Sequence, residues 1–247
     1  EAQALGYAEA DPSFDVDGID AAHKLALLAS LAFGTEVDFG AVVTEGIRHV
    51  APLDIDYAEE LGFRIKLLAI ARRTERGVEQ RVHPCMVPAG SAIAQIEGVY
   101  NAVMASGDWA GDTIYVGRGA GEGPTASAVA ADIVDIARGE ILPTFGVPAD
   151  RLQSLPVADM AEHRGAYYVR LMVRDKPGVI ADISAALRDE AVSLEAMLQR
   201  GRSPNEAVPV VLTTHDTTEA AMQRALGRIG ALDAVLEPPC MIRIEEP

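Results

Sequence analysis

The sequence predicts an α+β fold in two parts: a mixed, largely antiparallel sheet with helices on one face, followed by a ferredoxin-like βαββαβ unit. Three observations carry that prediction. An apolar stretch from Leu25 to Phe33 is bounded by helix start and stop signals. The apolar period then changes to the alternation of strands from Phe63 onward. Beyond Ala166 the order strand, helix, strand, strand, helix, strand is clean.

The chain opens at Glu1 without Met, in EAQALGYAEA, which reads as the tail of a helix already under way. Asp17, Gly18 and Asp20 read as an N-cap with an acidic first turn, so a helix is expected to start near Asp17 or Gly18. Its run LALLASLAF is apolar on nearly every face, which predicts burial in a core. Gly34 suits a left-handed C-cap, and Asp38 opens a short helical segment, FGAVVTEGI. A further short helix is predicted over 54–62.

FRIKLLAIARRT and EQRVHPCMVP, joined by RGV, read as a hairpin. EGVYNAVMAS and DTIYVG read as two more strands, turning around Trp109. Four strands with helices on one face leave the other face to be covered, and a second subunit is the expected cover. From Gly117 to Arg138 four glycines at alternate positions leave a strand and enter a helix at Pro124. Such a turn admits two readings, a tight connection or a backbone cradle for an anionic ligand. Residues 140–165, with Pro143, Pro148 and Pro156, read as a linker between a first domain, 1–139, and a second, 166–247.

A chain of 247 residues accommodates two cores. The formal net charge of −16 argues against nucleic acid or an anionic membrane as partner, because phosphate binding needs clustered Lys and Arg. Small molecules are the expected ligands. Two cysteines, Cys85 and Cys240, suggest neither a disulfide framework nor a Cys-rich metal site, and no apolar run is long enough to span a bilayer. A cytoplasmic location is expected. The five histidines show no ligand spacing, so none is assigned a role.

The densest chemistry lies in EADPSFDVDGIDAAHK, from Glu9 to Lys24. Asp20 and Lys24 are four apart and share a helix face. As an isolated pair they read as an exposed salt bridge worth a few tenths of a kcal/mol. The crowding of Glu9, Asp11, Asp15 and Asp17 just before them is more typical of a site, since like charges need a polar ligand or cation nearby.

From Ala2 this stretch resembles the signature of homoserine dehydrogenases: Ala2, Gly6, Tyr7, Ala8, Asp11, Pro12, Asp15, Gly18, Asp20 and Lys24. The resemblance implies NAD(P)-dependent interconversion of aspartate 4-semialdehyde and homoserine, in the pathway to threonine, isoleucine and methionine. It assigns Lys24 as the acid/base, Glu9, Asp15 and Asp20 to the substrate, and Gly6 and Gly121 to the nicotinamide end of NADP or NAD. It places a monovalent-cation site and a second lysine upstream of this chain, where a dinucleotide-binding unit is expected, because no strand here is followed by G-x-G-x-x-G and a helix. On this reading the fragment alone is inactive, and the enzyme is a homodimer or homotetramer.

DKPGVIADI, after the first strand of the second unit, resembles an ACT domain. That implies an amino-acid effector, threonine, held at the turn formed by Asp175, Pro177 and Gly178, or a module that only dimerises. The alternative reading of the whole chain is a dimerising, amino-acid-binding regulatory fragment with no chemistry of its own.

Overall fold

A computed structural model describes residues 11–200 and 207–247 of the chain. Gly6 and Glu9 lie outside the described residues.

The strands are β1 (Val43–Thr44), β2 (Phe63–Thr74), β3 (Gly77–Pro88), β4 (Tyr100–Gly107), β5 (Gly111–Arg118), β6 (Arg164–Arg174), β7 (Leu194–Gln199), β8 (Ala207–Thr214), β9 (Thr217–Thr218) and β10 (Cys240–Ile244). The helices are α1 (Ser13–Val16), α2 (Ile19–Phe33), α3 (Pro52–Glu60), α4 (Glu122–Arg138), α5 (Val179–Asp189) and α6 (Glu219–Gly230).

β3 is the strand on which both parts meet. It pairs antiparallel with β2 along its whole length. On its other edge it receives β1 at Arg81 and Val82, and then β10 at Cys85 and Met86, both parallel. β10 in turn pairs with β6, and the order runs on through β8 to β7. The order β10, β6, β8, β7 with α5 and α6 is the expected βαββαβ unit. One sheet therefore runs through both parts of the chain.

The C-terminal core packs Tyr167, Leu171, Ile183, Leu187, Leu212, Met222 and Ile229, which α5 and α6 lay on one face of the sheet. Each helix shows the apolar spacing of an amphipathic surface helix. The opposite face is covered by α3, whose Tyr57 and Ala58 join Met86, Tyr168, Val211 and Ile242. α2 packs Ala22, Leu25 and Ala26 on Val42 and Val82.

Four sequence expectations are corrected. Leu27, Leu28 and Leu31 of α2 are 40–52% exposed, so the helix buries one face and leaves an apolar one open. The segment after Asp38 makes only one 3-10 turn, Phe39–Ala41, capped by Asp38. The β-branched Val43 and Thr44 then pair with β3 instead of continuing a helix. β4 and β5 form a separate two-stranded hairpin rather than the third and fourth strands of one sheet. β3 offers them no edge, because β2, β1 and β10 occupy both of its sides. α4 begins at Glu122, ahead of Pro124, and no residue in it is buried. The expected linker, 140–165, is bonded to its surroundings. Gln153 exchanges hydrogen bonds with Gly34 and Glu36, Val78 and Pro156 bond at 2.8 Å, and Arg76 pairs with Glu162.

Among the described residues, no helix is long and apolar enough to cross a membrane.

Candidate active site

α1 and α2 meet at Gly18, whose φ of 77° turns the chain left-handed into the helix start. Asp17 does not cap α2. Its carboxylate instead takes Nε and Nη2 of Arg48, at 2.5 and 3.0 Å, and that hydrogen bond holds it below its ordinary pKa. Asp11 accepts the Ser13 amide at 3.0 Å, and its bonds to Ser13 likewise lower its pKa. The N-terminal end of α2 is thus ringed by acidic groups, each turned to a local donor where one exists. Asp15 is exposed and carries no such partner among the described residues.

One turn into α2, Lys24 Nζ donates to Asp20 Oδ2 at 2.5 Å. Lys24 remains 60% exposed, so its amine is held by a carboxylate and open to a small molecule at once. Chemically the pair can present a proton to an oxygen that gains charge, with Asp20 fixing the amine. His23 next to it takes no part. Its ring stacks on Phe39 at 4.0 Å and faces Phe14 at 5.9 Å, pinning α1 and the 3-10 turn against α2.

The structure brings Asp20 and Lys24 together, and Asp15 on the adjoining turn. Gly121 is the N-cap of α4 with φ 120°, and no hydrogen bond or ion pair among the described residues links it to Lys24. Asp175 and Gly178 lie at the entrance to α5, where Gly178 is the left-handed N-cap (φ 96°) and Asp175 accepts from Gln199 at 3.4 Å. Open space surrounds the position a Gly178 Cβ would take. A cleft of about 150 Å³ lies elsewhere, between residues 35–41 and 154–157. The acidic loop lies outside that cleft.

Sequence reading gave no role to the groups along the seam. Glu79, Arg81, His83 and Cys85 alternate along β3 and are all buried. Arg81 bridges Glu79 and Glu245 at 2.7 Å each, and His163 lies 3.2 Å from Glu79. Burial raises Glu79, but His163 and Arg81 outweigh it and leave its pKa lowered. Cys85 Sγ sits 3.1 Å from His83 Nδ1. These two gather with Glu245, three ligand-type side chains within 4.8 Å. Burial holds that thiol protonated, and Arg81 already takes the carboxylate, so the trio closes on itself. On the α3 side, Asp54 is fully buried and binds Arg170 and Tyr168. Oppositely charged residues alternating on β3 and β10 were the available signal. Their pairing only appears once the two strands are neighbours.

Comparisons with known proteins agree with this architecture. A homoserine dehydrogenase family model matches residues 1–134, and an ACT domain model matches 167–233. The chain is 45% identical to homoserine dehydrogenase of Neisseria gonorrhoeae over 251 residues, covering 99% of this chain and 58% of that protein. It is 44% identical to the Pseudomonas aeruginosa enzyme, again covering 58% of its length. Among solved structures, a homoserine dehydrogenase from Thiobacillus denitrificans superposes with a TM-score of 0.88 at 48% identity, over 99% of this chain and 57% of that one. The Staphylococcus aureus enzyme gives 0.70 at 27% identity, over 100% and 58%. The chain thus spans under three fifths of the relatives it matches. With its acid-ringed Asp20–Lys24 pair and its C-terminal ACT unit, it belongs to the homoserine dehydrogenase family.

Proposed function

We propose that this chain supplies the amino-acid-substrate site and the regulatory domain of an enzyme that interconverts L-aspartate 4-semialdehyde and L-homoserine. The observation that carries the reading is the Lys24 amine, held by Asp20 at 2.5 Å and otherwise open at the end of an acidic loop. When bound, NADP or NAD exchanges a hydride with the aldehyde carbon. Reduction leaves charge on the aldehyde oxygen, and Lys24 is the proton donor to it. Asp20 orients the amine or takes the substrate ammonium group. Asp15, with Glu9 outside the described residues, completes an anionic lining suited to a zwitterionic amino acid.

Gly121 and Gly6 are proposed contacts for the nicotinamide end only. Among the described residues no strand is followed by G-x-G-x-x-G and a helix, the pattern that cradles a pyrophosphate. That part, with the monovalent-cation site, belongs to the remaining length of the relatives. The exposed apolar faces of α4 (Val129, Ile133, Ile136) and α2 (Leu27, Leu31) support a homodimer or homotetramer in which they are covered. Threonine is the proposed effector at Asp175, Pro177 and Gly178, and the first and second domains are proposed to divide at the linker 140–165. A cytoplasmic location is proposed, supported by the acidic composition and the biosynthetic reading.

Lys24→Ala in the enzyme with its upstream part tests the assignment. Loss of a general acid lowers kcat by about 100- to 10,000-fold, with a smaller change in KM and an unaltered circular dichroism spectrum. Lys24→Arg does not restore it, since guanidinium yields its proton poorly. A Lys24→Ala enzyme with near-normal kcat returns the pair to an ordinary surface salt bridge.

A further inference from the structure

Residues 45–48 follow β1 without regular structure, yet they are tied on two sides. The Glu45 amide donates to Val82 O of β3 at 2.8 Å, and toward the ACT domain the Glu45 carboxylate accepts from Arg243 Nη1 at 2.9 Å. His49 adds a contact to Glu45 at 3.3 Å. Arg243 lies on β10, is 5% exposed, and is gripped from its other side by Glu219 of α6 through Nε and Nη2, at 2.9 and 2.6 Å. Toward the acidic loop, the Ile47 amide donates to Val16 O at 2.9 Å. Arg48 binds both oxygens of Asp17, and its Nη2 also reaches Ser13 Oγ at 2.9 Å. Between these, a Cβ on Gly46 would fall 2.5 Å from Val16 O and 2.7 Å from Asp17 Cα. Only a glycine lets the two segments lie this close.

We propose that residues 45–48 are a positioning clamp through which the last strand of the ACT domain holds the acidic loop at the mouth of α2. Its functional consequence rests on the reading of that loop as the amino-acid site; the clamp itself does not. The guanidinium of Arg48 is planar and two-pronged, so it fixes the direction of Asp17 as well as its distance. It also brings a positive charge into a loop otherwise crowded with Asp11, Asp15 and Asp17. Glu45 is the transmitting group. Its partner Arg243 is shared with α6, so any shift of α6 against β10 on effector binding changes the pull on Glu45, and residues 46–48 carry it to the loop.

The alternative is that Arg48 and Asp17 form one more surface ion pair, 60% and 38% exposed, with no bearing on the site. The two ideas separate by experiment. Hydrogen exchange is followed by mass spectrometry on the intact 247-residue chain carrying Arg48→Met, Arg48→Lys or Glu45→Gln. The clamp predicts that amides of residues 13–18 exchange roughly 3- to 10-fold faster in Arg48→Met, with Lys intermediate. It also predicts faster exchange of the same amides in Glu45→Gln, although Glu45 does not touch them. Unchanged exchange at 13–18 in Arg48→Met, or in Glu45→Gln, overturns the proposal.

The same substitutions in the enzyme with its upstream part raise KM for the amino-acid substrate about 10-fold while kcat stays within about 3-fold, with melting temperature unmoved, as loss of ground-state positioning requires. Faster exchange with an unmoved KM upholds the clamp and removes the acidic loop from the substrate site. The two failures are therefore distinct.

Discussion

Asp54 is the group whose removal tests the seam between the two parts most directly. Its carboxylate is fully buried and has five donors: Arg170 Nε at 2.7 Å and Nη2 at 3.1 Å, the Tyr168 hydroxyl at 2.9 Å, the Ala51 amide at 2.8 Å and, more weakly, the Cys240 thiol at 3.7 Å. Arg170 and Tyr168 come from β6, Asp54 from α3, so the cluster joins the N-terminal part to the ACT sheet. Asp54→Ala leaves a guanidinium 9% exposed without a counter-charge, which costs about 3–5 kcal/mol. The hydroxyl and amide left without an acceptor add about 1–3 kcal/mol each, less whatever water enters to solvate them. A total of about 5 kcal/mol is a large part of the ~5–15 kcal/mol by which domains are stable.

The double change Asp54→Leu with Arg170→Met removes both charges into similar volumes, so the charge part of the loss disappears and only that of the unpaired hydroxyl and amide, about 1–3 kcal/mol each before water enters, remains. Urea unfolding followed by far-ultraviolet circular dichroism gives all corners of the cycle, with Asp54→Leu and Arg170→Met as the single variants. Trp109 fluorescence does not serve, because that residue is remote and exposed. A loss under 1 kcal/mol in Asp54→Ala, or single-variant losses that simply add in the double variant, refutes the reasoning.

Two other outcomes follow from the geometry. Burial pushes the His83 pKa down to about 2, with Arg243 and Arg81 adding to it. The unfolded imidazole titrates near 6.5, so below that pH the unfolded chain takes up a proton that the folded chain refuses. The stability is therefore complete above about pH 6.5 and falls by about 1.4 kcal/mol per pH unit beneath it. Glu79 and Glu219 have lowered pKa values and add their losses only at more acid pH, beneath the ordinary carboxyl range. Urea midpoints between pH 5 and 6.5 should flatten in His83→Gln, and equal slopes in parent and variant exclude His83 as the source. Separately, Trp109 is the only tryptophan and is fully exposed at the β4–β5 turn. Acrylamide should quench it as it does free indole in dilute solution, and shielding at all concentrations would mean that the hairpin is covered within one chain.

What the sequence disclosed follows the range of the forces involved. The ACT elements were readable to within a few residues, because period, turn residues and caps are local properties. Gly34 is the left-handed cap its position suggested, and Gly178 stands at the expected helix entrance. The Asp20–Lys24 pair was readable for the same reason, since four residues on a helix make one face. The seam was not readable. Arg81 and Glu245 sit in different parts of the chain, and only the parallel docking of β10 on β3 buries them together. The β4–β5 hairpin was misplaced because alternation identifies a strand and says nothing of its neighbours. Arg48 gave no local sign of its role, lying in an irregular segment far along the chain from Asp17. α2 was judged buried from composition alone, whereas its leucines 27, 28 and 31 face outward and await a partner surface.

The docking of β10 on β3 also orders events in time. Cys85 and Arg243 are separated by more than half of the chain, so their pairing closes a loop that includes the hairpin, α4, the linker and most of the ACT unit. Contacts so distant form late, after the entropy of closure has been met by nearer ones. Until then β3 exposes amides at Cys85 and Met86, and Arg81 and His83 stand beside it in water. During synthesis the N-terminal part therefore waits with one open edge until the last strand emerges, the kind of edge on which neighbouring chains aggregate. The charges along β3 make that wait safer: hydrated, they keep a stranger's apolar strand away, and Glu245 joins Glu79 in pairing Arg81 when the native partner arrives.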